Sequence, residues 1–222
     1  MNSPIIQLLV LAGIAVFLIV RLRSVLGTRD GFEKPPVPMA DPTARRADTR
    51  HGFEVIEGGV DTDITEHVPD GSESAKALGA MKLAEPGFSV GEFLHGARGA
   101  YEMILMAFEQ GNLEDVRQFL APEVYDSLAE VVRLREEQGL SVEANFVGVR
   151  ELVLKEATFD RATNEAELTV KFVGELTSVV RNAAGEIVEG SPTEIKRQRD
   201  IWTFARGMGV DDPNWQLVAT GE

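Results

Sequence analysis

The sequence predicts an α+β domain, with helices laid on one face of a curved antiparallel sheet. Three stretches carry that expectation. Residues 165–172 alternate: Ala166, Leu168, Val170 and Phe172 fall on one face, Glu167, Thr169 and Lys171 on the other. That is the pattern of an antiparallel strand with one wet side. Phe93, Ala97, Ala100, Tyr101, Ile104 and Phe108 recur at helical spacing, which sets one apolar face against a partner layer. Both tryptophans sit in the last quarter of the chain, in two runs that read as strands. Trp202 and Phe204 share a face of the first, and Trp215, Leu217 and Ala219 repeat the spacing on the return.

Taken in order, the chain opens on an apolar run over residues 5–20, interrupted only by Gln7 among polar side chains. Ile5, Ile6, Leu8, Leu9, Val10, Leu11, Ile14, Val16, Phe17, Leu18, Ile19 and Val20 supply its surface. Sixteen helical residues rise about 24 Å, and Leu22, Val25 and Leu26 extend the run if Arg21 and Arg23 snorkel toward the headgroups. No basic residue precedes the run, while Arg21, Arg23, Arg29 and Lys34 follow it. This favours a retained single-pass anchor (residues 1–26) over a cleaved signal. The positive-inside rule puts the amino end outside and the remainder in the cytoplasm.

Residues 27–71 hold no hydrophobic period and read as a disordered linker. Pro35-Pro36-Val37-Pro38 is stiff, and an acidic tract follows: Glu54, Glu57, Asp61, Asp63, Glu66 and Asp70. Between residues 51 and 87, eight acidic and two basic side chains leave −6. Residues 72–87 read as a short amphipathic helix and lead-in, with Ala75, Leu78, Met81 and Leu83 near one side, fit to lie on a membrane or on the domain.

The folded domain is expected over residues 88–222. Ser89-Val90-Gly91-Glu92 has the form of a capping box ahead of the first long helix, and Gly111 closes that helix. Asn112 caps a second helix reaching about Leu120, and Pro122 starts a third. Val124, Leu128, Val131 and Val132 form the apolar side of the third, and Gly139 ends it. One long strand over residues 146–159, with a bulge at Gly148, opens the sheet. Gly174 bends the next strand, Asn182-Ala183-Ala184-Gly185 turns it, and Gly190-Ser191-Pro192 interrupts the return.

Composition narrows function. With 22 Lys and Arg against 36 Asp and Glu, the chain carries −14, a poor surface for nucleic acid. It has no cysteine, which removes disulfides and thiolate chemistry. The three histidines are dispersed, and no metal-ligand spacing, Ser-His-Asp arrangement or phosphate-cradling glycine loop is present, so no cofactor, metal or catalytic residue is expected. His95, the only histidine of the domain, is expected to be a partly buried structural residue. A bent sheet around helices leaves an apolar pocket, whose expected lining is Phe93, Tyr101, Ile104, Leu105, Phe108, Trp202, Phe204 and Trp215; plain core packing is the alternative role for these side chains, and the one their ordinary burial habits favour. An enzyme of this shape needs a carboxylate general base in that pocket. Asp126, Glu130 and Asp200 are the acids with an inward address.

The chain resembles the Tim-forty-four-like domain family over residues 72–222. The resembling motifs are Glu85-Pro86-Gly87-Phe88, Phe93-Leu94-His95-Gly96-Ala97-Arg98-Gly99-Ala100-Tyr101-Glu102 and Ala107-Phe108-Glu109-Gln110-Gly111-Asn112. They continue with Gly190-Ser191-Pro192, Asp200-Ile201-Trp202-Thr203-Phe204-Ala205-Arg206 and Asp212-Pro213-Asn214-Trp215-Gln216-Leu217. An amide stands at Asn112 where the family usually carries an acid. The anchor and proline-bearing linker are similar to those of alphaproteobacterial members. The resemblance implies a cone like that of nuclear transport factor two and association with the bacterial inner membrane, where the positive-inside reading makes the amino end periplasmic and the domain cytoplasmic. It implies an adaptor in protein translocation or membrane-protein assembly. Its partners would be membrane or translocated proteins, with a lipid or acyl chain as an alternative occupant of the pocket.

Overall fold

The computed structural model describes residues 61–221. The expected span and residues 27–60 of the expected linker lie outside the described residues. Among the described residues no helix is long and apolar enough to cross a membrane.

The elements run α1 (Thr62–Thr65), α2 (Glu73–Ala84), α3 (Val90–Gln110), a 3-10 helix (Leu113–Phe119) and α4 (Pro122–Glu137). Four strands follow: β1 (Ser141–Asp160), β2 (Glu165–Arg181), β3 (Ile187–Gly207) and β4 (Gln216–Gly221). The sheet order is β1-β2-β3-β4, each neighbouring pair antiparallel. The α+β expectation therefore holds, with helices preceding a four-stranded antiparallel sheet.

The alternation in β2 has its predicted effect. Ala166, Leu168, Val170 and Phe172 are fully buried, together with Leu217 of β4. The opposite face carries a Thr169–Thr203 hydroxyl pair at 2.9 Å and a Lys171–Glu151 ion pair at 2.7 Å. Helix α3 lays Phe93, Ala97, Tyr101, Ile104 and Leu105 against the inner face. At its start the Ser89 hydroxyl accepts the Glu92 N–H, as a capping residue should.

Several expectations change. Residues 61–71 are part of the fold: Ile64 and Val68 are buried, and Asp61 and Asp63 both bridge Lys82 at 2.8 and 2.7 Å. The acidic tract was read as tether because these partners are distant in sequence. Helix α2 lies on the domain, with Leu78 and Met81 fully buried and the Ser74 hydroxyl accepting the Ala157 N–H. The second helix is a 3-10 turn with no side-chain cap from Asn112. Val131 of α4 is exposed. His95 is also exposed, because the buried stripe of α3 runs through Phe93, Leu94 and Ala97 and leaves position 95 on the solvent side.

Two glycines meet close approaches. A Cβ at Gly174 would lie 2.6 Å from Tyr101 Oη, so this glycine makes room for the tyrosine. Gly190 sits at φ 77°, and its Cβ would fall 2.1 Å from the Ser178 carbonyl oxygen. Just beyond it the register shifts: Ser178 pairs Ser191 while Leu176 pairs Lys196. The chain around Pro192 loops out, which is the interruption read at Gly190-Ser191-Pro192. A second bulge, between Thr203 and Phe204, pairs Ala219 with Thr203 and so takes it off the face shared by Phe204 and Leu217.

Candidate functional site

The amino-terminal half of α3 is poor in bulk on one side. Gly96, Ala97 and Ala100 face the loop between β3 and β4 across open space. The opposite walls are aromatic. Phe93 meets Trp215 at 4.8 Å and Phe204 at 6.0 Å between ring centroids, and Phe88 meets Trp215 at 6.1 Å. Phe119, Pro213 and Asn214 complete a cavity of about 350 Å³, in the size range of about 300–1,000 Å³ common for ligand sites.

Two of the lining residues, Glu85 and Arg206, are clamped together. Arg206 Nη2 donates to Glu85 Oε1 at 2.7 Å, and the Gly209 N–H donates to Glu85 Oε2 at 3.0 Å. Burial pushes the Glu85 pKa up, but the guanidinium and the Gly209 N–H outweigh it and hold it below the usual range. The Arg206 guanidinium also sits 5.2 Å from the Trp215 ring centroid. Its side chain is 7% exposed, and its Nε is buried with no hydrogen-bond partner among the described residues.

Beside the opening, Asp63 reaches the first turn of α3. It accepts the N–H groups of Val90 (2.8 Å) and Gly91 (2.9 Å) and the Ser89 hydroxyl (3.1 Å). Burial opposes ionisation there, yet Lys82, those two N–H groups and the hydroxyl lower the Asp63 pKa to about 2.

The expected pocket residues are divided by the structure. Phe93, Phe204 and Trp215 line the cavity. Tyr101, Ile104, Leu105 and Trp202 are solid core, each 5% exposed or less. Phe108 borders a separate groove of about 230 Å³ with Val132, Arg135 and Leu140, where Arg135 stands 4.4 Å from its ring centroid. Helical spacing assigns a face but not a depth, so the inner turns of α3 could not be told from the cavity wall. Glu85, Phe88, Gly96, Phe119 and Arg206 were missed as lining. Glu85, Phe88, Gly96 and Arg206 lie within the motifs quoted above, yet only their long-range pairing makes them one site.

The candidate base Asp200 is buried but occupied. Tyr101 Oη donates to its Oδ2 at 2.6 Å and Gln198 Nε2 to its Oδ1 at 3.1 Å. The Tyr101 ring stacks on Phe172 at 4.4 Å and 7°. Burial, then the Asp200 carboxylate, push the tyrosine pKa up, so it stays a hydrogen-bond donor. Asp200 lines neither cavity described above, and Asp126 and Glu130 are exposed. The arrangement suits a structural lock rather than proton transfer. Among the described residues no group of three His, Asp or Glu side chains is placed to hold a metal ion.

Comparison with known proteins adds a family context. The family model of the Tim44-like domain matches residues 74–222. The mitochondrial import inner membrane translocase subunit TIM44 of Homo sapiens is 24% identical over 160 residues, and that of Rattus norvegicus 23%. Each alignment covers 71% of this chain and 35% of the relative, so the chain spans about a third of the length of the relatives it matches. Among solved structures, the intermembrane space region of the chloroplast protein ARC6 superposes at a TM-score of 0.40 and 10% identity. It covers 57% of this chain and 93% of that one, a likeness too slight to build on.

Proposed function

The chain belongs to the Tim44-like domain family, and on that premise we propose that it is a non-enzymatic, membrane-anchored adaptor in protein translocation or membrane-protein assembly. Residues 5–20 hold it in a bacterial inner membrane, with the amino end periplasmic and the domain cytoplasmic. The domain is a cone like that of nuclear transport factor two, and its cavity receives a partner protein or a lipid. The observation that carries the reading is the aromatic cavity between α3 and Trp215, in a family whose matched relatives are named as translocase subunits. A linker between anchor and domain keeps the cavity near the bilayer, at an effective concentration in the millimolar range for a short flexible tether.

The test is crosslinking in cells from a photoreactive side chain placed at Gly96 or Trp215 of the full chain, read by mass spectrometry. Membrane or exported proteins are expected among the adducts, and the chain is expected to stay in the membrane pellet through a carbonate wash. A chain that washes free, or that yields neither protein nor lipid adducts from the cavity, overturns the reading.

A further inference from the structure

We propose that the middle of the sheet's outer face, across β1, β2 and β3, is a second docking surface, which takes an acidic protein segment. Apolar side chains of that segment rest on Val153 and Ile201, and its carboxylates meet Arg150, Lys155, Arg197 and Arg199. This surface is separate from the cavity, whose Phe204 and Arg206 lie opposite Leu168 and Ala166 on the inner face. The register fixes which side chains share the outer face. Phe172 and Gly174 turn inward to Tyr101, so their neighbours Lys171, Val173 and Glu175 point outward. Val153 and Ile201 lie opposite Lys171, Glu151 and Arg199 opposite Val173, and Arg197 opposite Glu175. Arg150 and Lys155 stand at register shifts of β1 beside them, and Arg150 reaches Glu175.

The patch is cationic on a chain of −14. Five cations, Arg150, Lys155, Lys171, Arg197 and Arg199, lie about two carboxylates, Glu151 and Glu175. Lys171 bonds Glu151 at 2.7 Å, and Arg197 and Arg150 meet Glu175 at 2.9 and 3.4 Å. Lys171 chiefly, with Arg199 and Lys155 adding to it, holds Glu151 below the usual carboxylate range, and Arg197 and Arg150 do the same for Glu175. Arg199 and Lys155 are exposed and have no ion pair among the described residues. The paired arginines also keep donors free. Their side chains are 60% and 62% exposed against 19% for Glu175, so the guanidiniums project past the carboxylate they share. A guanidinium carries more N–H donors than either contact uses, in the fork geometry that holds a carboxylate by two parallel bonds.

Between the cations the face is apolar. Val153 is 41% exposed, Ile201 is half-buried, and Val173 is buried between Glu151 and Arg199. Toward the β1–β2 turn the face becomes acidic again at Glu156 and Glu167, which bounds the patch at the Thr169–Thr203 pair. Two features select a protein segment over a phosphate-dense membrane or nucleic acid. Glu151 and Glu175 stand among the cations, so a continuous layer of phosphates would press on them as well. Val153 and Ile201 offer apolar contact on either side of Lys171, which a layer of phosphates leaves unused. A segment that mixes Asp or Glu with Leu, Ile or Phe meets both demands.

The full chain in neutral detergent is titrated with a labelled peptide carrying Asp-Glu pairs on both sides of a central Leu-Phe. The controls replace its acids by Lys, or its Leu-Phe by Ser-Ser. Binding is expected to be saturable and weakened by salt, and about tenfold or more tighter than for either control. The double reversal Lys155→Glu and Arg199→Glu, at exposed positions, is expected to weaken the acidic peptide about tenfold and to turn preference to the Lys peptide, with the circular dichroism unchanged. Val153→Ser takes away apolar contact alone and is expected to bring the peptide close to its Ser-Ser control. Peptide affinity that is flat across the series, or indifferent to both changes, overturns the proposal. Native mass spectrometry in detergent doped with phosphatidylglycerol supplies the lipid arm. Lipid retention that the double reversal removes, with no peptide binding, assigns the face to anionic lipid and overturns it too. Gly96→Leu, inside the cavity, separates the two surfaces. Peptide binding lost in that variant and kept in the double reversal places the peptide in the cavity and overturns the outer-face assignment.

Discussion

Tyr101 and Gly174 show how little slack the inner face of the sheet has. The tyrosine is fully buried, stacked on Phe172 and bonded to Asp200, and its hydroxyl occupies the space a Gly174 side chain would need. Gly174→Ala is expected to destabilise by about 1–3 kcal/mol through overpacking. Tyr101→Phe, which strips a buried carboxylate of a donor, is expected to cost a similar ~1–3 kcal/mol. The double variant should cost less than the sum, because removing the hydroxyl relieves the nearest clash; urea unfolding of all three measures the coupling. Asp63 gives a pH signature. Its pKa falls from 3.8 to about 2 on folding, so its contribution is complete above about pH 4 and is lost as the pH falls toward 2. Wild-type stability should drop by roughly 1–2 kcal/mol more than that of Asp63→Asn over that interval, measured by urea titration at each pH. Neither role was legible in the sequence. Gly174 was read as a bend because nothing local announces a tyrosine 73 positions away, and Asp63 was read as part of a tether.

At the level of elements, periodic segments were readable and contact-defined ones were not. The alternation of β2 and the helical repeat of α3 are set by burial on one side, so sequence alone located them. The Leu113–Phe119 turn carries the acidic start and apolar residues of an α-helix, yet it folds as 3-10. It spans only seven residues between the left-handed Gly111 and the Leu120–Leu217 bridge, a short connecting piece of the kind in which 3-10 geometry is common. Residues 61–73 make the corresponding case at the other end. They precede the stretch matched by the family model, which begins at residue 74, but they bury Ile64 and Val68 and bring the Asp61 and Asp63 carboxylates to Lys82. A chain shortened to begin at residue 74 is expected to be less stable by several kcal/mol, since each buried aliphatic side chain contributes about 1.5–3 kcal/mol. Urea unfolding against a chain beginning at residue 61 checks this. Equal midpoints would mean that the segment only rests on the surface.

For the whole molecule, the candidate site was half legible. The aromatic runs at the carboxyl end pointed to Phe204 and Trp215 and the helical repeat to Phe93, while the Arg206–Glu85 clamp joins residues 121 apart and could be seen only in the fold. If the adaptor acts by proximity, lengthening the linker within residues 27–60 should weaken its action without altering the domain. Doubling that segment is expected to lower the effective concentration about threefold, read as a matching fall in the yield of cavity crosslinks. An unchanged yield would argue against action by proximity. The entry point of the linker has its own mechanical meaning. The described residues begin with two carboxylate contacts: Asp61 pairs with Lys82 of α2, and Asp63 grips the first turn of α3 at Ser89, which is part of the cavity wall. A pull on the amino-terminal side is therefore expected to reach both α2, through Lys82, and the doorway of the receptacle, through Ser89. Rupture of that grip would loosen the doorway while the sheet stays intact.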